Sequence, residues 1–236
     1  TLINHKTIWT PDNSFLLEYK ERCECGEFII GQDLAIELEN LAEDLQNDRY
    51  FYNTDDALLR MDFMENCIRL TKSPYYNKPM KLMLWQRAFI EATYSFKMSE
   101  TTKRRFQKII FLIARKNTKS ETCSALGLTE FFLGNPGADI VASSNDDAQA
   151  SIIYDAIDTM RLLIDPDSKD TKRNQRFILN RRGNFFYLAA SQKDCSCSNK
   201  DRNLFHNSIS LRVKKSSCKD CPYNYFDVIN LLRFNR

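Results

Sequence analysis

Lys119 and Ser120 are the residues whose types and setting most directly suggest chemistry. An ammonium and a hydroxyl side by side at a helix start suit phosphate. The lysine reaches the β- and γ-oxygens, the hydroxyl ligates Mg²⁺, and the N–H groups of the first helical turn point at the anion. The polar turn Arg115-Lys116-Asn117-Thr118 precedes the pair. Before that turn, the apolar run Ile109–Ile113, rich in β-branched and aromatic residues, predicts a buried strand. Glu121 to Phe132 has helical character. Strand, loop, Lys-Ser and helix follow the layout of a phosphate-binding P-loop. The general pattern G-x-x-x-x-G-K-[ST] asks for glycine at 113 and 118, where this chain has Ile113 and Thr118. On spacing alone, the dipeptide also fits an ordinary surface pair at the head of a helix.

The cysteines form a second candidate set. Cys195-x-Cys197 and Cys218-x-x-Cys221 are two pairs with 20 residues between them. Four thiolates could hold a tetrahedral Zn²⁺, with His206 as a spare ligand and Lys214, Lys215 and Lys219 turned toward nucleic acid. The same cysteines equally suit an unselected tail. Cys23-x-Cys25 supplies only two ligands. Cys67 and Cys123 sit among apolar neighbours and read as free, buried thiols of a reducing compartment.

The elements that must position these groups are legible from periodicity. Phe15–Tyr19 begins an amphipathic stretch. Gln32 to Leu45 predicts a helix with Leu34, Leu38, Leu41 and Leu45 on one apolar stripe, a core-packing or interhelical seam. Thr54-Asp55-Asp56 is an N-cap signal for a helix carrying Leu58, Leu59, Phe63 and Ile68. Pro74 and Pro79 break the pattern. A further helix is expected from Ala88 to Phe96, behind Trp85-Gln86. Gly134-Asn135-Pro136-Gly137 is a turn, Asp139–Ser143 a second strand, and Asp146 to Leu163 a long helix with Ile152, Ile153, Ala156, Ile157 and Met160 on one face. Arg176–Asn180 and Phe185–Ala189 read as a hairpin through Arg182-Gly183-Asn184. The alternation predicts an α/β fold: a partial P-loop NTPase-type parallel sheet preceded by an N-terminal helical region. The expected divisions are 1–73 helical, 74–189 partial ATPase domain, and 190–236 a basic, Cys-rich tail that is disordered or out of frame.

Composition limits the classes. Hydrophobic residues at 43% and charged residues at 28% describe a soluble globular chain. A net charge of +3 over 236 residues is no footprint of nucleic acid for the whole chain. The charge is uneven, however. Residues 169–236 hold 15 Lys/Arg against 5 Asp/Glu, so they carry +10 and residues 1–168 carry −7. No apolar run approaches the roughly 18–20 residues of a membrane span, so no membrane partner is expected. The polar start TLINHKTIWT lacks a signal peptide. A first residue of Thr reads as a processed or fragmentary chain.

Taken in order, several of these residues resemble the large terminase subunit of tailed bacteriophages, the ATPase that packages DNA into proheads. Leu84-Trp85-Gln86 stands where that family has its adenine-binding element. Ala114-Arg-Lys-Asn-Thr-Lys-Ser120 is similar to its deviant Walker A loop, which often reads R-K-N-G-K-S and lacks the first glycine. Ser143-Ser-Asn-Asp-Asp-Ala-Gln149 matches a polar, Gln-containing turn after the second strand. Gly31-Gln-Asp-Leu and Met61-Asp-Phe-Met-Glu-Asn66 resemble its leading helices, so the likeness runs over roughly residues 10–185.

The resemblance implies ATP and Mg²⁺ as cofactors, with Arg115, Lys116, Asn117, Thr118, Lys119 and Ser120 as the phosphate loop. Lys119 would hold the β- and γ-phosphates, Ser120 the Mg²⁺. Arg115 would contact the γ-phosphate and couple hydrolysis to movement. Gln86 would pair with the adenine edge and Trp85 would pack beside it. The implied partners are double-stranded DNA, a portal protein, a small terminase subunit and further copies in a homo-oligomer, in the host cytoplasm.

Two departures accompany the likeness. Thr118 replaces the glycine before the lysine, and a β-branched residue held at φ > 0 costs on the order of 1–3 kcal/mol. On that basis Thr118→Gly is expected to tighten ATP binding. The family's Walker B strand, an apolar run ending in Asp-Glu, does not occur after residue 133, and Asp227 fails because Val228 follows it. The coupling motif and nuclease domain are also missing. Residues from about 190 therefore read as a truncated, recombined or frameshifted end, with nothing to replace the lost central strand. The alternative function is a non-catalytic nucleotide-binding remnant or a zinc- and nucleic-acid-binding module.

Overall fold

The computed structural model describes residues 8–101, 103–106, 108–111, 113, 117–144, 147–175, 177–190, 209–214 and 225–229. They fall into two units, Thr1–Asp62 with Lys81–Phe106, and Phe63–Met80 with Gln107–Arg236. The proline-bearing segment 72–79, where the sequence suggests a boundary, lies within the second unit.

The first unit is mainly helical. Helix α1 (Phe15–Glu24) starts at Ser14, whose Oγ accepts the Leu17 N–H at 3.3 Å. Helix α2 (Gln32–Asp44) follows the extended Gly31. Its leucine stripe is buried at Leu38, Leu41 and Leu45, which pack with Leu16 and Phe96. Leu34 is exposed instead, because the buried cluster begins one turn later. Strand β1 (Tyr50–Tyr52) leads to helix α3 (Asp55–Cys67), which starts at the N-cap signal and runs across the division between units. Helix α4 (Leu84–Ser95) passes directly into strand β2 (Phe96–Met98), which pairs antiparallel with β1. A buried carboxylate braces this unit. Glu91 accepts from Ser14 Oγ and the Tyr52 hydroxyl, both at 2.5 Å, and from the Phe15 N–H at 2.9 Å. Three donors on one carboxylate answer the cost of burying its charge. Burial, followed by the adjacent Glu91 charge, pushes the Tyr52 phenol well above its ordinary range, so it remains a donor.

The second unit is built on a sheet. Strand β3 (Lys108–Ile110) is followed by helix α5 (Lys119–Leu133), strand β4 (Asp139–Ser144) and helix α6 (Asp147–Ile164). Strands β5 (Thr171–Arg173), β6 (Phe177–Asn180) and β7 (Phe185–Ala190) form a meander. Strands β8 (Ile209–Lys214) and β9 (Tyr225–Ile229) complete the described set. The order is β3-β9-β8-β4-β7-β6-β5. Helix α5 lies beside α6, and α6 packs on β4 and β7. Ile140, Ile153, Ile157, Met160, Ile178 and Phe186 fill the layer between helix and sheet, each worth about 1.5–3 kcal/mol when fully buried. Ile152 stays exposed, one residue off the buried face of α6.

Two expectations change here. The anticipated parallel sheet is a mixed one. The pairs β3–β9 and β4–β7 are parallel, while β4–β8, β8–β9, β5–β6 and β6–β7 are antiparallel. Short connections between β5, β6 and β7 permit only antiparallel neighbours, whereas β4 reaches β7 through the long α6 crossover. The basic end of the chain also takes part in the sheet. Strands β8 and β9 lie between β3 and β4, the place that the sequence reading leaves unfilled.

Candidate functional site

The local build of the β3–α5 connection sets the candidate site. Thr118 is the N-cap of α5 and has φ +55° and ψ 16°, in the left-handed region. L-residues with a branched Cβ avoid this region, at a cost of about 1–3 kcal/mol. Its carbonyl already serves the helix, accepting the Thr122 N–H at 2.8 Å and the Thr122 hydroxyl at 3.0 Å. Lys119 and Ser120 are therefore the first two helical residues, both half-buried, with Asn117 and Thr118 exposed ahead of them. First-turn N–H groups have no carbonyl one turn earlier to bond. The 15-residue helix adds roughly half a positive charge at this end.

The helix is held firmly behind its first turn. Residues Thr122 to Phe131 are buried on every side. The Thr129 hydroxyl donates to the Ala125 carbonyl at 2.7 Å, so its polarity is satisfied within the helix. At the far end, Gly134 closes α5, and a Cβ there would collide with the Glu130 carbonyl oxygen. The β6–β7 turn then caps the terminal carbonyls. Asn184 Nδ2 donates to Phe131 O at 3.0 Å, Asn180 Nδ2 donates to the same oxygen, and Arg182 Nη1 donates to Phe132 O at 2.7 Å. The acceptor ends of the two amides hold the turn itself. Asn180 Oδ1 accepts from the N–H groups of Arg182 and Asn184, and Asn184 Oδ1 accepts from that of Ala138. Gly183, at φ +75°, supplies the left-handed step between them.

Two neighbours tune the helix start. Glu121, in the first turn, complements the helix dipole, and its Oε1 accepts from Thr71 Oγ1 at 3.0 Å. That bond ties segment 68–80 to the head of α5. Cys123 lies one turn after Lys119. Burial pushes its thiol up to about 12, against the opposing pull of the Lys119 charge, so it is a neutral core thiol rather than a nucleophile. Cys67, expected to be buried as well, is exposed at the end of α3.

A second polar cluster braces the end of α6. Arg161 is buried and donates through Nε and Nη2 to Asp158 Oδ1 at 2.9 and 2.8 Å, and through Nη1 to Thr171 Oγ1 at 2.8 Å. Asp165 accepts the N–H groups of Lys169, Asp170 and Thr171 and the Thr171 hydroxyl. Burial raises the Asp165 pKa, but the Thr171 hydroxyl and the three N–H donors outweigh it and hold the carboxyl below its ordinary range. This cluster fixes the α6–β5 corner.

The sequence-derived site residues are distributed as follows. Asn117, Thr118, Lys119 and Ser120 are contiguous at the head of α5 in the second unit. Arg115 and Lys116 lie outside the described residues, as do Cys195, Cys197, His206, Cys218 and Cys221. Trp85 and Gln86 belong to the first unit, in the first turn of α4. Gln86 is buried, and its Oε1 accepts the Met83 N–H at 2.8 Å, so its carbonyl oxygen serves the helix start. Among the described residues no group of three His, Cys, Asp or Glu is placed to hold a metal. The Thr71–Glu121 tie and the Asn180–Asn184 cap are the structural residues that sequence reasoning did not single out. An Asn-Arg-Arg-Gly-Asn turn signals a hairpin, but not which carbonyl its amides will reach.

The second unit is thus a mixed α/β unit in which strand β3 precedes a helix headed by Lys119 and Ser120. No protein-family model matches the chain, and no curated protein matches it. Among solved structures, a likeness is found to the crystal structure of the HK97 bacteriophage large terminase. The identity is 17%, the TM-score is 0.49, and the match covers 60% of this chain and 29% of that one. The chain thus matches under a third of that protein's length. No described helix is long and apolar enough to cross a membrane.

Proposed function

We propose that the head of α5 binds the phosphates of ATP with Mg²⁺, in a chain related to the ATPase part of a phage large terminase. The left-handed Thr118 carries this reading. The position before the P-loop lysine asks for a backbone that glycine adopts freely, and here threonine is held in that backbone at a cost. A surface Lys-Ser pair needs no such residue, and strain of this kind persists only where surrounding structure over-determines it. The order of motifs along the chain supports the same reading. The donor set suits the ligand: the Lys119 ammonium, the Ser120 hydroxyl and the helix N-terminus would hold the triphosphate and its Mg²⁺. ATP, when bound, supplies the anhydride whose cleavage drives such motors. Under this proposal the partners are duplex DNA, a portal, a small subunit and further copies of the chain, in the host cytoplasm.

One observation favours binding without cleavage as a second reading. Strand β9 lies parallel to β3 and sets Asp227 opposite Lys108, yet Val228 follows it, so no Asp-Glu pair closes an apolar strand there. The positions that would order Mg²⁺ and the attacking water are not supplied in the family's form.

Titration with labelled ATP in Mg²⁺ tests the main proposal. Lys119→Ala removes a charge-assisted contact worth about 1.5–3 kcal/mol, an expected loss of roughly 10- to 150-fold in affinity. Equal dissociation constants for the two proteins would refute it. Phosphate release by the wild-type chain separates cleavage from binding alone.

A further inference from the structure

Segment 68–80 has a character that neither the helix head nor the core requires. It is a closed loop with hydrogen bonds across its base. The Leu70 N–H donates to Lys78 O and the Asn77 N–H to Leu70 O, both at 2.9 Å, and the Met80 N–H donates to Ile68 O at 3.0 Å. Asn77, at φ +62°, makes the return. Its tip is tightened by two more bonds, from the Tyr75 N–H to Lys72 O and from the Lys78 N–H to Tyr75 O, both at 3.0 Å. The backbone is thus closed across its base and again at its tip.

On this frame stand two adjacent aromatic rings that face solvent. Tyr75 is 57% and Tyr76 56% exposed. Burying rings of this size is among the larger gains available to a small fold, and here both are displayed. Lys78 Nζ lies 5.3 Å from the Tyr75 ring centroid and steadies that ring from one side. Residues 68–80 contain Arg69, Lys72 and Lys78 and no aspartate or glutamate. An exposed basic loop carrying paired aromatics is complementary to a polyanion whose units carry flat faces.

We propose that this loop binds single-stranded nucleic acid, with Tyr75 and Tyr76 stacking on unpaired bases and Lys72 and Lys78 meeting the adjoining phosphates. Stacking needs a displayed ring, and the cations need a backbone phosphate within one nucleotide of it. A base-paired duplex offers neither tyrosine an open base face except at its ends. The Thr71–Glu121 bond joins this loop to the head of α5, so strand binding would be felt at the first turn of that helix. The inference stands apart from the ATP reading and does not require it.

Fluorescence anisotropy with the full chain tests it, using a labelled oligo-dT 15-mer and a duplex of the same length. The Tyr75→Ala/Tyr76→Ala variant should lose at least about fivefold in affinity for the single strand per stack removed. The Tyr75→Phe/Tyr76→Phe variant, which keeps the rings, should retain it, and circular dichroism should show the same fold in all three. Replacing Lys72 and Lys78 with Gln should flatten the log–log salt dependence by about 1.4, at roughly 0.7 per phosphate contact. Equal binding of the single strand by wild type and the double-alanine variant would overturn the proposal, as would an unchanged salt slope in the lysine variant. Tyrosine-dependent binding of the duplex but not the single strand would overturn it too.

Discussion

Replacing Thr118 by glycine is the sharpest probe of the helix head, and the structure changes what it should do. The sequence alone suggests tighter ATP binding in Thr118→Gly. Yet Thr118 holds φ +55° as the N-cap of α5, part of the helix head's own backbone, so its strain weighs on folding. Removing it relieves about 1–3 kcal/mol. Glycine gives back about 0.4–1 kcal/mol through the greater freedom of the unfolded chain. The net expectation is a gain of about 0.5–2 kcal/mol. For a chain of this size, each kcal/mol raises Tm by about 2–4 °C, so an increase of roughly 1–8 °C is expected. Thermal unfolding followed by circular dichroism measures it, and the ATP dissociation constant should stay within about threefold of wild type. Thr118→Ala is the control. Alanine keeps a Cβ in the left-handed region and should recover little of the gain. A lower Tm for the glycine variant, or equal gains from glycine and alanine, would refute the strain argument.

Two further outcomes follow from the same unit. Asn184→Ala removes one of two amides on Phe131 O and the side-chain acceptor of the Ala138 N–H, while Asn180 Nδ2 and the Asn135 carbonyl still serve those two groups; a loss of about 1–2 kcal/mol is expected in urea unfolding, and a loss under about 0.5 kcal/mol would show that the remaining partners suffice. Asp165 has a folded pKa below its ordinary 3.8, so its contribution is present above that value and lost as pH falls through the folded pKa. The stability difference between wild type and Asp165→Asn should therefore be flat from neutral pH down to about 5 and shrink only in stronger acid; a difference that shrinks instead between pH 5 and 7 would contradict the hydrogen-bond account.

Much of the element plan is legible because it depends on local pattern. The apolar stripe of α6, the N-cap ahead of α3 and the Arg182-Gly183-Asn184 turn each carry their cause within a few residues. The Lys119–Ser120 helix head is legible for the same reason. Burial is less so. Leu34 and Ile152 fit their stripes yet lie outside the packed faces, and Cys67 has apolar neighbours in sequence but not over its thiol. A periodicity gives the direction of a face, while neighbours from distant segments decide how far the cover extends.

By itself, the sequence determined which residue types meet at the helix head, where most helices and strands lie, and that the chain's positive charge is concentrated toward its end. The tertiary structure decided strand partners and directions, because hydrogen-bond pairing joins residues far apart in the chain and leaves no local signal. It set β8 and β9 between β3 and β4, where the sequence left a gap. It also turned Thr118 from a mismatch in a motif into a residue held left-handed, since a β-branched side chain adopts that conformation only when the structure around it leaves no other.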